Sequence, residues 1–335
     1  PNPFETRHVE WEGPPPQADL EVYEERAKSI LSENESPDVG FRYSLNPYRG
    51  CFHGCIYCYA RPTHQYLGFG AGTDFDRKIV VKVNAPELLE KRLSERTWQG
   101  APIAFSGNTD CYQPLEASYE LTRRCLEVCV AHANPVGLIT KGTVIRRDVA
   151  LLGALHRRAG ARVTVSLAFA DDAVRRRFDP FAAPVAARLE TLRRLADAGL
   201  PVGVAVSPII PGVNDAMIPE ILERAAEAGA QHAFMTLLRL PREVRPHFEV
   251  RLEELLPQRA GKVKNGVREL RGGRMNDPRF GSRMSGRGAR WETIEQLFTT
   301  HARRLGLDRA AVADDLGLRP APRPPRAAAR QLELF

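Results

Sequence analysis

Short apolar runs rich in β-branched residues alternate with amphipathic segments between about residue 41 and residue 240. In the amphipathic segments the apolar residues recur at helical spacing, and a glycine often follows them. Buried strands followed by amphipathic helices are typical of βα units around a parallel sheet. The paired segments are KIVVKVN with APELLEKRLSER, APIAFSG with LEASYELTRRCLEVCVAHA, VGLITKG with RRDVALLGALHRRAG, RVTVSLAF with PVAARLETLRRLADAG, and PVGVAVSPII with DAMIPEILERAAEAG; QHAFMTLLRL ends the series.

About six such units fit into this region, fewer than the eight of a closed barrel. The pattern therefore predicts an α/β fold, an open and partial (β/α)6 TIM-like barrel, with a doubly wound sheet as the alternative. In either architecture the functional side chains gather at the carboxyl ends of the strands.

The flanking segments differ from this core in composition. Residues 1–38 are Pro-rich at their start, and we predict a helix in the segment DLEVYEERAKSILS that follows. We expect these residues to form an N-terminal arm that lies over the barrel of residues 39–240. Residues 241–312 do not show the alternation of strand and helix patterns. Their sequence predicts a basic extension made of helices and a Gly- and Arg-rich loop. The end, residues 313–335, is rich in Pro, Ala and Arg, and we expect most of it to be disordered.

Composition narrows the class of protein. With 335 residues of which 43% are hydrophobic, the chain can bury a large core. It has no apolar run near the roughly 18 residues of a membrane helix and no secretory signal at its start, so we expect a cytoplasmic protein without a membrane partner. Six cysteines are too few for a disulfide scaffold, and clustered thiols in a reducing compartment favour a metal site.

Three of the cysteines lie within eight residues. Cys51, Cys55 and Cys58 form the pattern C-x3-C-x2-C in CFHGCIYC, directly after the strand predicted in FRYSLNPYRGC. Thiolates at this spacing can ligate three irons of one iron–sulfur cube and leave the fourth iron open to another ligand. The alternative is a zinc site with His53 or His64 as the fourth ligand.

The same stretch resembles the motif of the radical SAM superfamily, C-x3-C-x-aromatic-C, with Tyr57 at the aromatic position. The resemblance implies a [4Fe-4S] cluster that binds S-adenosylmethionine (SAM) and cleaves it reductively to a 5′-deoxyadenosyl radical, which abstracts hydrogen from a substrate. It also implies an electron donor such as flavodoxin or ferredoxin as a partner.

Further segments resemble a bacterial branch of proteins similar to spore photoproduct lyase, over about residues 35–310. FSGNTDCYQPLE is similar to the segment that stands in for the superfamily's Gly-Gly-Glu motif near the SAM amino group. LITKGTVIRRD is similar to a strand end whose lysine pairs with the SAM carboxylate, and TVSLAF offers a serine for the ribose. The resemblance assigns SAM contacts to Tyr57, Ser106, Gly107, Asn108, Thr109, Asp110, Lys141 and Ser166.

Some assignments stay open at this point. Cys111 is the candidate for the cysteine with which the lyase returns hydrogen to its product, but aligning the Thr-Asp dipeptides places that cysteine on Gly107, and Cys111 is equally interpretable as a small buried residue. Asp179 and Arg188 are candidates for SAM contacts. Cys125 and Cys129, spaced i, i+4 in a helical run, predict core packing instead of a second metal site.

The net charge of +7 is concentrated near the C-terminus. Residues 239–335 hold 21 Lys and Arg against 12 Asp and Glu, and residues 259–290 alone hold ten Lys and Arg against two acidic residues. With Phe280 or Trp291 available for base stacking, this segment predicts a nucleic-acid partner, and a solvated basic face is the alternative. We therefore expect the substrate to be a nucleic-acid base or lesion. The alternative substrate is a peptide or a small molecule. The alternative class of protein is a non-catalytic zinc module that binds nucleic acid.

Overall fold

The structure is a computed structural model that describes residues 19–308, so the predictions for the Pro-rich start and for residues 313–335 lie outside the described residues. The strands are β1 (Glu21–Glu25), β2 (Leu31–Glu33), β3 (Tyr43–Leu45), β4 (Tyr48–Arg49), β5 (Lys78–Lys82), β6 (Ile103–Phe105), β7 (Val136–Thr140), β8 (Ala161–Ser166), β9 (Val202–Ile209) and β10 (His232–Leu237). The α-helices are α1 (Thr73–Arg77), α2 (Ala85–Ser94), α3 (Glu116–Tyr119), α4 (Leu121–Ala131), α5 (Val149–Arg158), α6 (Asp172–Phe178), α7 (Val185–Asp197), α8 (Ile218–Glu227), α9 (Val244–Leu255), α10 (Ala260–Leu270) and α11 (Ala289–Arg304).

The main sheet has the strand order β10-β9-β8-β7-β6-β3-β2. Within this sheet, β3, β6, β7, β8, β9 and β10 each pair with their neighbours in parallel. Strand β2 pairs antiparallel with β3 and forms the edge of the sheet. A doubly wound sheet reverses its strand order at a switch point, whereas this order follows the chain from one edge to the other. The open, partial TIM-like barrel predicted from the sequence is therefore confirmed.

The core lies between the strands and the helices that connect them. Leu126 of α4, Val163 of β8 and Leu222 of α8 are fully buried within one large apolar cluster. Cys125 and Cys129 belong to the same cluster and are fully buried, so their predicted packing role is confirmed. The i, i+3 and i, i+4 spacing places these α4 side chains on one face of the helix, against the sheet.

The segment KIVVK is a strand, but the prediction that it belongs to the barrel is wrong. As β5 it lies in a separate three-stranded sheet, pairing in parallel with β1 and antiparallel with β4. The first parallel strand of the barrel is β3 instead, which pairs directly with β6. A buried apolar run predicts a strand without specifying which neighbour it will pair with.

The predicted helix in DLEVYEERAKSILS is also wrong, because this segment contains β1 and the first two residues of β2. Val22 of β1 lies opposite Ile79 of β5, and Ser32 of β2 lies opposite Ser44 of β3. Its Glu, Lys and Ala residues favour a helix only weakly, and pairing with two available sheet edges overrides that preference.

The C-terminal part contains α9, α10, a long loop and α11, as the sequence predicts for the residues up to 308. Helix α11 packs against α8 and β10 and buries Trp291 and Ile294 in the barrel core. Trp291 is only 4% exposed, so the expectation that it stacks on bases is wrong, whereas Phe280 is exposed. Within residues 19–308, no helix is both long enough and apolar enough to cross a membrane.

Candidate active site

The three clustered cysteines lie in a loop between β4 and a 3-10 helix, Arg61–Leu67. Cys55 shares an apolar cluster with residues that follow β8, β9 and β10, so the loop lies beside the carboxyl ends of the barrel strands. All three thiols are free; Cys51 and Cys55 are buried and Cys58 is partly exposed. The backbone N–H of Cys51 donates to the Phe75 carbonyl at 2.9 Å. Burial raises the pKa of the Cys58 thiol to about 11 and that of Cys55 well above its ordinary value. Cys55 and Cys58 therefore ionise readily only when a metal takes up the charge.

A fully buried arginine holds this loop in place. Arg61 donates to the Cys55 carbonyl from Nε at 3.1 Å and Nη2 at 2.9 Å, and to the Gly72 carbonyl from Nη1 at 2.8 Å. Its Nη2 also pairs with Asp76 at 2.9 Å. Burial raises the pKa of Asp76 to about 6, although Arg61 acts in the opposite direction. The sequence analysis missed this residue, which stands three positions after Cys58 in CYARP.

The 106–110 segment, predicted to contact SAM, follows β6 and is held by an asparagine from the end of β3. Asn46 Oδ1 accepts the backbone N–H groups of Asn108 at 2.9 Å and of Thr109 at 3.1 Å. Ser106 has a φ of +69°, a conformation that costs energy for a residue with a side chain and is concentrated at functional sites. The Thr109 hydroxyl is buried without a hydrogen-bond partner among the described residues. This segment therefore has a donor left for a ligand.

Asp110 connects the cysteine loop to the end of β7. Its carboxylate accepts the Thr140 hydroxyl at 2.6 Å and the Lys141 backbone N–H at 2.7 Å, and His53 Nδ1 lies at 3.3 Å. Burial opposes ionisation of Asp110, but His53 and these hydrogen bonds lower its pKa to about 2. Burial also opposes protonation of His53, but Cys51 and Asp110 together raise its pKa to about 9.

Lys141, the predicted partner of the SAM carboxylate, lies at the end of β7 with its Nζ 5.7 Å from the centroid of the Tyr57 ring. Burial opposes the charge on its ammonium group, but Cys55 and Asp179 raise its pKa above the ordinary value. Among residues 19–308, no carboxylate lies within ion-pair distance of this ammonium group. A charged group in this environment is a suitable partner for an anionic ligand.

Tyr57 is oriented by a buried ion pair. Its hydroxyl donates to Asp179, which also pairs with Arg188 at 3.4 Å. Arg188 further donates to the carbonyls of Ser166 at 3.0 Å and Ala183 at 2.8 Å. The sequence offered Asp179 and Arg188 as candidates for direct SAM contacts. In the structure both side chains are engaged with protein groups, and they position Tyr57 and the end of β8.

Two side chains of the TDCYQPLE segment complete the framework. Gln113, which the sequence analysis did not single out, accepts the Phe52 N–H at 3.0 Å and donates to the Gly50 carbonyl at 3.2 Å. Glu116 begins α3, is fully buried and accepts the Tyr48 hydroxyl at 2.5 Å. The segment thus fixes both β4 and the start of the cysteine loop.

Both histidines considered as zinc ligands have other partners. His64 Nε2 is 2.8 Å from the Lys78 carbonyl, and its ring packs against Phe69 and Phe75 at centroid distances of 5.3 and 5.4 Å. His53 is engaged with a carboxylate, as described above. Within the part of the chain that the structure describes, no three His, Cys, Asp or Glu side chains converge closely enough to hold a single metal ion.

An open parallel barrel with a three-cysteine loop at its carboxyl edge agrees with the comparisons to known proteins. The family model of the Radical SAM superfamily matches residues 45–225, more than half of the chain, so the chain belongs to the radical SAM superfamily. An uncharacterized protein of Mycobacterium tuberculosis is 38% identical over 221 residues, 64% of this chain and 64% of that protein. An uncharacterized protein of Methanocaldococcus jannaschii is 26% identical over 196 residues, 58% of this chain and 70% of that protein. The alignment thus spans slightly less than two thirds of the mycobacterial relative.

Among solved structures, spore photoproduct lyase is strongly similar in fold. Its complex with dinucleoside spore photoproduct has a TM-score of 0.63 and 18% identity, covering 88% of this chain and 85% of the lyase. A double mutant of the lyase with bound AdoMet and the dinucleoside has a TM-score of 0.61 at the same identity and coverage. The expected resemblance to this group is confirmed at the level of the fold.

The side chains present fit the cofactors that the family implies. Three free thiols in one loop provide the ligands for an iron–sulfur cluster with an open iron. Beside them lie two groups that lack such partners among the described residues: the Lys141 ammonium group has no carboxylate partner, and the buried Thr109 hydroxyl has no hydrogen bond. These are the kinds of groups that recognise an amino-acid moiety such as that of SAM.

Replacing Arg61 with lysine tests whether its guanidinium holds the cysteine loop. Lysine keeps the charge but cannot reach the Cys55 and Gly72 carbonyls together, so we expect Arg61→Lys to lower the free energy of unfolding by about 2–3 kcal/mol. Urea unfolding of the metal-free protein measures this change in the free energy of unfolding. Arg193→Lys, which changes an exposed arginine on α7, serves as the control and should cost less than about 0.5 kcal/mol. Equal effects of the two substitutions would contradict the assignment.

Cys111 is fully buried in the main core, with its N–H bonded to Ser106 Oγ, which favours the packing alternative. We expect Cys111→Ala to destabilise the protein by about 1 kcal/mol, as core Cys125→Ala should, and to leave the reaction products unchanged. Chemical unfolding and mass spectrometry of the products provide the two readouts. A changed product with SAM binding intact would instead support Cys111 as the hydrogen donor.

Proposed function

We propose that this protein is a radical SAM enzyme in which Cys51, Cys55 and Cys58 ligate a [4Fe-4S] cluster. A cluster held by these thiolates would pass one electron to bound SAM, which would cleave to methionine and a 5′-deoxyadenosyl radical able to abstract hydrogen from a substrate. The observation that carries the proposal is the loop of three free thiols at the barrel's carboxyl edge, inside the region matched by the family model. Family membership favours an enzyme over the non-catalytic zinc module that the cysteines alone left open.

The chain's own residues bind and orient SAM in this proposal. Lys141 pairs with the SAM carboxylate. The 106–110 segment receives the amino group, in part through the Thr109 hydroxyl, which has no hydrogen-bond partner within residues 19–308. Ser166 at the end of β8 contacts the ribose, and Tyr57 lines the adenine site. Asp110 and Asp179 act indirectly by holding Lys141 and Tyr57 in position.

For the substrate we propose a base or lesion in nucleic acid. Two observations support this choice: the structural similarity to a lyase complexed with a dinucleoside photoproduct, and the basic segment 259–290. A base within a duplex must leave the stack to reach a barrel site, which costs a few kcal/mol unless it is damaged or unpaired. The electron comes from a protein donor such as flavodoxin or ferredoxin.

Anaerobic reconstitution with iron and sulfide tests the proposal. We expect about four irons per chain, and formation of 5′-deoxyadenosine when dithionite and SAM are added, detected by mass spectrometry. Cys55→Ala should abolish 5′-deoxyadenosine formation, whereas Cys129→Ala, which changes a buried core cysteine, should retain it. Bound zinc with no cluster would contradict the proposal.

The role of Lys141 is testable by SAM affinity. A charge-assisted hydrogen bond to a carboxylate is worth about 1.5–3 kcal/mol, so Lys141→Met should raise the SAM dissociation constant by about ten- to hundredfold without loss of iron. Equilibrium dialysis with the reconstituted protein measures this constant. Lys262→Met, an exposed lysine of α10, is the matched control. Unchanged affinity in Lys141→Met would remove Lys141 from the SAM site.

A further inference from the structure

A row of two aromatic rings and two guanidinium groups extends outward from the cysteine loop. Tyr59 directly follows Cys58, and the guanidinium carbon of Arg239, just beyond β10, lies 5.6 Å from the Tyr59 ring centroid. Arg283 lies 4.5 Å from the ring centroid of Phe280. Tyr59 is 48% exposed and Phe280 61% exposed. We call Tyr59, Arg239, Arg283 and Phe280 the aromatic–arginine wall.

The inner end of this wall adjoins the proposed SAM site. The Tyr59 hydroxyl donates to the Gly107 carbonyl at 2.7 Å, within the 106–110 segment. Arg239 Nη1 contacts the sulfur of Met284, the residue after Arg283, at 3.7 Å. This contact connects Tyr59 and Arg239, at the inner end, to Arg283 and Phe280, at the outer end. A ligand lying along the wall would therefore reach from solvent to the place where SAM is proposed to bind.

The wall and its loop carry more positive than negative charge. Residues 271–288 contain five arginines and one acid, Asp277, an excess of four. Arg279 pairs with Asp277 at 2.9 Å and Arg283 with Asp38 at 2.5 Å. Arg239 has no carboxylate within ion-pair distance among the described residues, and burial together with repulsion from Arg283 lowers its pKa. An anion bound here would relieve that repulsion.

The loop that carries Arg283 is fixed in place before any ligand binds. Arg271 is buried and donates to the carbonyls of Leu238 at 2.8 Å, Ser285 at 2.9 Å and Arg283 at 3.0 Å. The Met284 carbonyl in turn accepts the Leu237 N–H of β10 at 2.9 Å. A preorganised surface loses little conformational entropy on binding, and we assign Arg271 as its positioning residue.

We propose that the aromatic–arginine wall binds an unpaired nucleic-acid strand, with bases stacked on Tyr59 and Phe280 and a phosphate paired with Arg239. This inference rests on the proposed function only for the identity of the reacting base. Exposed aromatic rings stack on base faces that a single strand offers and a duplex conceals. The wall thus selects single-stranded or locally unpaired nucleic acid.

Fluorescence anisotropy with a labelled 12-nucleotide oligothymidine, alone and annealed to its complement, tests this on the anaerobically reconstituted protein. The wild type should bind the single strand at least about tenfold more tightly than the duplex. Arg239→Gln and Phe280→Ala should each weaken single-strand binding about tenfold. Only Arg239→Gln should also reduce the slope of log affinity against log salt, by about 0.7, because only it removes a phosphate contact. Arg193→Gln, an exposed arginine on α7, is the control.

Equal affinity for strand and duplex, or variants that match Arg193→Gln, would overturn the inference. Measuring 5′-deoxyadenosine formation by the same wild-type sample keeps the two proposals apart. SAM cleavage without oligonucleotide binding would refute the wall alone, while strand binding without a cluster or SAM cleavage would refute the proposed function and leave the wall standing.

Discussion

The site depends on the hydrogen-bonded carboxylate of Asp110, whose side chain is only 10% exposed. It joins three pieces of chain that are distant in sequence: the cysteine loop through His53, the end of β7 through Thr140 and Lys141, and its own segment after β6. A carboxylate removed from water is stable only with such a complete set of donors. The loop and two neighbouring strand ends are therefore held in one geometry, with the cysteines and Lys141 on the same side of the barrel.

Around this centre, most buried polar groups serve to position others. Arg61 fixes the Cys55 backbone, and Asp179 with Arg188 fixes Tyr57. Against this background the partly buried charges without an oppositely charged partner in the described part of the chain are informative, and Lys141 is the chief example. A scaffold that satisfies its own polar groups and leaves selected donors free is preorganised for a charged ligand. The aromatic–arginine wall extends the same principle outward, since Arg239 is half-buried and has no carboxylate partner within residues 19–308.

The sequence predicted those features that depend on local patterns. Apolar periodicity indicated the barrel strands, and the spacing of Cys51, Cys55 and Cys58 indicated one loop of ligands. It did not predict the position of β5, because an apolar run does not identify its partner strand. Nor did it predict the role of Gln113, whose bond to Phe52 joins residues 61 positions apart. The prediction that Trp291 stacks on bases was wrong because the basic, glycine-rich sequence before it resembles an exposed loop. In the structure Trp291 belongs to α11, and its ring is buried in the core.

The central claim is that three cysteines of this chain hold a cluster whose remaining iron is open to SAM. Mössbauer spectroscopy of protein reconstituted with ⁵⁷Fe, recorded before and after addition of SAM, tests this most directly. The account predicts that about one quarter of the iron signal, from the one iron without a cysteine ligand, changes when SAM binds. A spectrum in which SAM alters none of the iron sites, or a protein that retains no iron, would contradict it.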